Sequence, residues 1–594
     1  MIPDPRTEYL SRLQQRRSAA GKLNSWHYRI GNARFGVFVA AVLAAWLAFR
    51  TQAISGWWLV VPALAFIGLV AWHASVLRRH QRFTRAVDFY KRGIARLDEN
   101  WEGSGEAGER FKDPAHPYSE DLDLFGKGSL FELLCRARTQ AGEQTLAAWL
   151  KSPAAADEIR SRQEAVSELR SKLDLREDLA LLGADVRAGV DPDPLVHWGE
   201  GPARFHSNSI RIAAALIACL ALASLAFWIV EGRHQWFMLA IMIELLFVYS
   251  QRRTVGDTVR AAERAGRDLE LLSSVLARLE KENFNSPRLK SLRAALNCEG
   301  VPCSRGIARL NRLIVLLDSR KNLFFAPVAL ILLWEIQLAF LVERWRQKNG
   351  RAISGWLRAV AELEALSSFA GYSYEHPGDP FPELSPESSS FEGLALGHPL
   401  LPESKCVRND VHLTGEVRVL VVSGSNMSGK STLLRTVGIN AVLALAGAPV
   451  RARSLRIAPL AVGASIRVMD SLHDGTSRFY AEITRLRKLV TLADGPLPLM
   501  FLLDELLHGT NSHDRRIGAE AVIRGLVHRG ALGLLTTHDL ALAHIAEALA
   551  PNALNVHFED HIDNGHMAFD YRLLPGIVKK SNALELMRSI GLEV

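Results

Sequence analysis

The sequence predicts an α/β P-loop NTPase domain at its C-terminal end, preceded by an all-α core and lever that carry two transmembrane helical hairpins. Two observations predict the first part. Residues 424–432 read Gly-Ser-Asn-Met-Ser-Gly-Lys-Ser-Thr, the pattern G-x-x-x-x-G-K-[ST], between a strand-like run Val417–Val422 and a helix-like run Leu433–Leu445. Downstream, the apolar strand-like run Leu499–Leu503 ends in Asp504-Glu505. One observation predicts the second part. The runs Phe35–Phe49, Thr51–Leu77 and Ile212–Val230 are uncharged, and Gln235–Ser250 carries only Glu244. A spanning helix needs about 20 mostly apolar residues.

The loop pattern specifies its chemistry residue by residue. Backbone N–H groups across Gly424, Ser425, Asn426, Met427, Ser428 and Gly429, aimed by the positive end of the following helix, wrap a di- or triphosphate. Lys430 reaches the β- and γ-phosphates, and Ser431, followed by Thr432, offers its hydroxyl to Mg²⁺. Asp504 at its strand end holds the same ion, and Glu505 polarises the attacking water. A second apolar strand, Leu532–Thr537, ends at His538, placed to sense or clamp the γ-phosphate. A histidine at a strand end is common, so His538 is assigned only with its neighbours. A chance Gly/Ser turn before a helix is the competing reading of the loop, and the flanking strand and helix disfavour it. The cofactors implied are ATP and Mg²⁺.

These residues carry a family resemblance. The loop with its central Asn426-Met427, Phe501-Leu-Leu-Asp-Glu-Leu followed by His508-Gly-Thr-Asn-Ser-His-Asp514, and Thr536-Thr-His538 together resemble the ATPase domain of the MutS family. That resemblance implies an ABC-type ATPase working as a homodimer with shared ATP sites. Asp474-Gly-Thr-Ser-Arg-Phe-Tyr-Ala-Glu482 is similar to the family's signature segment, which implies that Ser477 completes the nucleotide site of the other subunit. Gly397-His-Pro-Leu, Arg408-Asn-Asp410, Tyr571–Gly576 and Ser581–Gly591 resemble the flanking segments of that domain. Ser129–Thr139, Ala147–Leu150 and Arg162-Gln-Glu164 are similar to the start of the family's helical core, and Ala361–Ala370 to the last helix of its lever. The mismatch-reading domain and its Phe-x-Glu motif have no counterpart in the N-terminal part, and the lever leaves no room for the large DNA clamp. The resemblance implies ATP binding and hydrolysis coupled to DNA binding, of mismatched or structured DNA and related to DNA repair, mainly through phosphate contacts, with mismatch reading in the family's manner not expected. The alternative is a membrane-associated ATPase for transport or remodelling with no DNA substrate.

Basic residues orient the hairpins. Arg12, Arg16, Arg17, Lys22, Arg29 and Arg34 precede the first run, Arg78, Arg79, Arg82 and Arg85 follow the second, and Arg252-Arg253 follow the fourth. The positive-inside rule places all of these in the cytoplasm, with small outer turns near Arg50–Ile54 and Glu231–His234. The expected location is therefore the cytoplasmic (inner) membrane, multi-pass, with the ATPase domain in the cytoplasm and lipid contacting both hairpins. A fifth apolar stretch, Leu323–Val342, has basic flanks on both sides and reads as a buried lever helix, since a fifth span would carry the ATPase across the membrane. Glu244 and Glu335 read as paired or interfacial structural carboxylates rather than a proton path.

The expected organisation is a basic tail (1–33), hairpin 1 (34–78), a helix and linker (79–128), the first part of the core (129–205), hairpin 2 (206–251), the second part of the core and lever (252–375) and the ATPase domain (376–594). Within it, Phe83–Asn100 reads as an amphipathic helix leaving the membrane, and Trp101–Gly128 as an irregular linker. Leu269, Leu272, Leu276 and Leu279 mark the packing face of a helix over Asp257–Glu282. The apolar fraction of 48% and mean hydropathy of +0.05 are high for a soluble protein and low for a many-span transporter. The net charge of +8 is partly the topology signal itself. The five cysteines are scattered and read as plain thiols.

Overall fold

The computed structural model describes residues 4–50, 55–187, 191–205, 208–298, 300–322, 324–385, 389–425, 428–467, 478–507, 510–563 and 566–578. The C-terminal part is built on a six-stranded sheet: β1 Val419–Ser423, β2 Ala461–Ser465, β3 Leu499–Asp504, β4 Leu532–Thr537, β5 Ala553–Asp563 and β6 His566–Pro575. Their spatial order is β6-β5-β1-β4-β3-β2. All neighbours are parallel except β5 and β6, which form an antiparallel hairpin at one edge. Strands β1 and β4 are buried along their whole length, because parallel strands covered on both faces need continuous apolar runs. The register sets Thr536 beside Asp504 and Thr537 beside Ser423, so the C-terminal ends of β1, β3 and β4 lie level. That edge is where an open α/β sheet collects its ligand-binding groups.

Helices Leu130–Leu134, Gln140–Lys151, Ala156–Ser171, Leu173–Arg187 and Pro192–Glu200 form the helical core around Ile353–Glu375, a lever helix buried over nearly all of its length. The segment 101–128 is irregular but is not a loose linker. Its Trp101, Tyr118, Leu122, Leu124 and Phe125 are buried in the main core, and Asp121 accepts 2.8 Å hydrogen bonds from the amides of Ile466 and Arg467. Asp121 also pairs with Arg485 at 2.6 Å, so this strap ties the helical half to the sheet. Its apolar residues are too irregularly spaced to announce a buried segment.

Hairpin 1 consists of helices Pro5–Phe49 and Val60–Leu97, and the amphipathic stretch expected at 83–100 is the continuation of the second. The outer turn at 51–54 lies outside the described residues. Near its base the two helices touch closely: a Cβ on Gly93 would come within 2.6 Å of the Tyr9 ring. The base is then fixed to the lever. Glu375 accepts hydrogen bonds from Arg96 of hairpin 1 at 2.7 and 2.8 Å, from Arg136 of the core at 2.5 Å and from Tyr9 at 3.2 Å. Burial pushes the Glu375 carboxyl up, but Arg136 and Arg96 outweigh it and hold the group at about 2.

Hairpin 2 joins Ser209–Glu231 to Gln235–Glu280, a single 46-residue helix that runs from the apolar stretch into the core without a break. Its Leu269, Leu272, Leu276 and Leu279 are buried, as their spacing predicts. Among the described residues three helices are long and apolar enough to cross a membrane: Pro5–Phe49, Gly56–Leu97 and Ser209–Glu231. The 235–250 stretch falls short of that mark because polar and charged residues flank it closely. The stretch expected to be one buried helix over 323–342 is two, Ala326–Ile331 and Trp334–Asn349, broken at Leu333 with φ +47°. Only the second is buried in the core; Phe324, Val328 and Leu330 are exposed. Glu335 pairs with Arg320, as one of the two expected alternatives has it, whereas Glu244 is buried in hairpin 2 with neither oxygen hydrogen-bonded among the described residues.

Candidate nucleotide site

Strand β1 delivers the loop and the helix Lys430–Ala446 receives it. Gly429 makes the turn between them at φ +96°, a conformation that L side chains rarely adopt, and a Cβ there would meet the Tyr571 ring at 3.0 Å. Lys430 is buried, and its ammonium donates to the carbonyls of Gly424 and Ser425 at 3.0 and 2.8 Å. Burial pushes its ionisation down, against the pull of Glu505 and Asp504. The hydroxyls of Ser425 and Ser428 are buried with no hydrogen-bond partner in the described structure. Unpartnered buried donors in a glycine-turned loop fit a polyphosphate, which supplies the acceptors they lack. Asn426 and Met427 lie outside the described residues.

Asp504 sits at the end of β3 and is reached from two sides. Ser431 donates its hydroxyl to Oδ2 at 2.5 Å, and Thr536 of β4 donates to Oδ1. The Ser431–Asp504 pair is the oxygen set that a bound Mg²⁺ would use. Thr432 lines the same cavity. The chain then turns sharply, with Glu505 at φ +48° and Leu507 at φ +56°. Such left-handed residues are costly without glycine and persist where the surroundings fix them. Here the Leu507 amide donates to the buried carboxylate of Glu482, which reaches over from the helix Arg478–Ala493. The turn leaves the Glu505 carboxylate 3.0 Å from His538 Nδ1. A carboxylate only accepts, so Nδ1 is the donor in this contact.

A cavity of about 720 Å³ joins Gly429, Lys430, Ser431, Thr432 and Glu505 to a wall made by His398, Val407, Asn409, Phe558 and Tyr571. Asn409 builds that wall, donating to the Tyr571 carbonyl at 2.9 Å and accepting from the Leu573 amide at 2.8 Å. Burial pushes His398 down to about 4, so it is a neutral wall residue at neutral pH. The structure thus brings together Gly424, Ser425, Ser428, Gly429, Lys430, Ser431, Thr432, Asp504, Glu505 and His538. Ser477 lies outside the described residues, as do His508, Gly509 and the segment Ser581–Gly591. Sequence reasoning gave no role to Thr536, Asn409, His398 or Tyr571, although each lies in a segment that stood out for its resemblance.

The fold and site define the class: a phosphate-loop nucleotide-binding protein of the α/β type. Residues 420–593 match the family model for MutS domain V and residues 118–370 that for MutS domain III, and the chain belongs to the MutS family. It is similar to "DNA mismatch repair protein MutS 2" of Halobacterium salinarum, 35% identical over 242 residues, which are 39% of this chain and 27% of that protein. It is also similar to "Endonuclease MutS2" of Thermus thermophilus, 32% identical over 203 residues (33% of this chain, 25% of that protein). A third is "DNA mismatch repair protein MutS" of Chlorobium phaeovibrioides, 31% identical over 248 residues (39% of this chain, 27% of that protein). The matched region spans only about a quarter of the length of these relatives. The domain III match ends within the lever helix Ile353–Glu375 and the domain V match begins in β1. The strap at 118–128 belongs to the domain III match, in keeping with its burial.

Proposed function

We propose that this chain is a membrane-anchored ATPase whose ATP cycle controls binding to DNA phosphates, working as a homodimer in the cytoplasmic membrane. The observation that carries the ATPase half is the convergence of Lys430, Ser431, Asp504, Glu505 and His538 on one sheet edge. Bound Mg²⁺-ATP supplies the phosphoanhydride to be cleaved. Lys430 would exchange its two loop carbonyls for phosphate oxygens, and Ser431 and Asp504 would hold the ion. Glu505, held by His538, accepts the proton of the attacking water. The shared-site dimer rests on the likeness of the segment 474–482 to the family signature.

The DNA half is supported by the relatives named above, two of them called mismatch repair proteins and one an endonuclease. The membrane half is supported by three apolar helices whose longest apolar stretches are mostly exposed. Labelled homoduplex and single-mismatch duplex, titrated with the full chain at several salt concentrations with and without ATP, test the DNA half. The expected result is binding that falls steeply with salt, responds to ATP and distinguishes the two duplexes little. Absence of salt-dependent binding sends the function to the membrane, as an ATPase for remodelling or transport.

A further inference from the structure

At the base of hairpin 2 a cleft of about 740 Å³ opens between the first turns of Ser209–Glu231 and the helix Trp334–Asn349. Its lining is partly apolar: the Phe205 and Phe340 rings stack with centroids 4.1 Å apart, joined by Ile212 and Ala215. The two helices also bring polar groups to it, Arg211 from the first and Gln337, Arg344 and Gln347 from the second. The carboxylate in the cleft, Glu343, is already neutralised. It is buried against Arg346, which donates to both of its oxygens, and it also accepts from the Arg204 amide at 3.0 Å. Arg211 and Arg344 make no ion pair or side-chain hydrogen bond among the described residues.

Two guanidinium groups lining one cleft whose carboxylate, Glu343, is already paired with Arg346 attract an anion, and a phosphate matches their planar donor geometry. What leads out of the cleft is apolar. Ile212, Leu216 and Leu220 stand at successive i, i+4 positions and are exposed, forming a ridge that climbs the helix toward the hairpin tip. The short helix Ala326–Ile331 packs beside that helix and adds exposed Val328 and Leu330. A cationic cleft at the foot of an apolar ridge is the shape of an anionic amphiphile.

The geometry points to a binding site for one anionic phospholipid, its phosphate between Arg211 and Arg344 and an acyl chain along Ile212, Leu216 and Leu220. This inference rests on the reading of hairpin 2 as membrane-embedded. Gln337 and Gln347 offer donors and acceptors to headgroup hydroxyls. Burial of Glu343 with Arg346 keeps the floor of the cleft rigid, because Arg346 also holds the carbonyls of Trp198, Gly201 and Pro202 at 2.7–2.9 Å.

The test is native mass spectrometry of the full chain in non-ionic detergent, titrated with phosphatidylglycerol or with phosphatidylcholine of the same chains. The wild type is expected to retain phosphatidylglycerol in preference to phosphatidylcholine. The pair Arg211→Gln with Arg344→Gln is expected to weaken that retention on the order of tenfold. Lysine at both positions should keep most of it, and Arg453→Gln, an exposed charge on the ATPase domain, should change nothing. Each single Gln variant, expected to show part of the loss, guards against a double variant that fails to fold. Retention unchanged in both single and double variants overturns the site, as does displacement of the lipid by inorganic phosphate at equal concentration. Alkaline carbonate washing of membranes reports separately on the reading beneath it. A chain that is released refutes the membrane anchor, whereas one that stays while the variants bind normally refutes the lipid site alone.

Discussion

Every side chain from Val419 to Val422 and from Leu499 to Leu503 is buried, whereas Phe35, Phe49, Trp57 and Leu64 of hairpin 1 are each more than half exposed. Both regions are made of the same kinds of apolar residue, and neither carries a charge within its run. The difference lies in what covers them. The strands are covered on both faces by helices, so their apolar area leaves water when the domain folds. The helices of the hairpin cover each other on one side only and turn the rest outward, far beyond the apolar patch a soluble monomer ordinarily exposes. Apolar sequence thus does two jobs here. One builds a rigid floor beneath a phosphate loop, and the other leaves an outward apolar surface that the proposed membrane anchor would place in lipid.

Substitutions at the two regions should therefore differ in size, and the largest effect belongs to neither but to the joint between them. Glu375→Ala leaves Arg96 and Arg136 buried without their carboxylate and is expected to cost about 3–5 kcal/mol in a denaturation series. The same joint gives a pH dependence. Glu375 is held at about 2, below its ordinary 4.5, so its contribution is complete above about pH 4.5 and is lost as the pH falls from there towards 2. Unfolding midpoints of wild type and Glu375→Gln should converge over that window. A constant gap down to pH 2 would remove Glu375 from the acid response.

Next in size is Leu502→Ala, in the middle of β3 and fully buried, with an expected loss of about 2–5 kcal/mol. Leu216→Ala on the exposed ridge of hairpin 2 should shift stability by less than about 0.5 kcal/mol. Equal losses at the two positions, measured in the same detergent, would mean that the ridge packs against protein and would dissolve the contrast.

The site predicts a separation of another kind. Lys430→Ala is expected to abolish tight nucleotide binding, and Glu505→Ala to keep ATP bound while slowing hydrolysis, because binding and water activation are separate tasks. Equilibrium binding of a labelled ATP analogue beside steady-state turnover distinguishes them. Mixing Lys430→Ala with Ser477→Ala protomers should restore part of the activity if sites are shared, since both lesions can then fall in one site and leave the other intact. Failure to restore any activity would assign each site to a single chain.

Much of the site was legible because its chemistry is local in sequence. The loop lies in nine consecutive residues, and Asp504-Glu505 and His538 end strands whose apolar runs are unmistakable. What the sequence hid is what the sheet register and long-range packing contribute. Thr536 gains its place on Asp504 only because β4 pairs with β3, and Asn409 holds Tyr571 across 162 residues. The strap at 101–128 reads as a linker in sequence because burial without a regular helix or strand leaves no period to read. The break at Leu333 is invisible for the related reason that a left-handed leucine carries no sequence mark. Hairpin 2 showed the converse: the apolar run ends at Ser250, but the helix continues to Glu280 because the leucine stripe of the core takes over in phase.

Membranes bearing the full chain, washed at high pH and resealed in both orientations, bring these strands together in an assay of ATP turnover. Activity should stay with the washed membranes, appear in inside-out vesicles and not in right-side-out ones, and vanish with Lys430→Ala. Activity released into the wash, or equal turnover by the Lys430→Ala membranes, would contradict a membrane-held ATPase built on this loop.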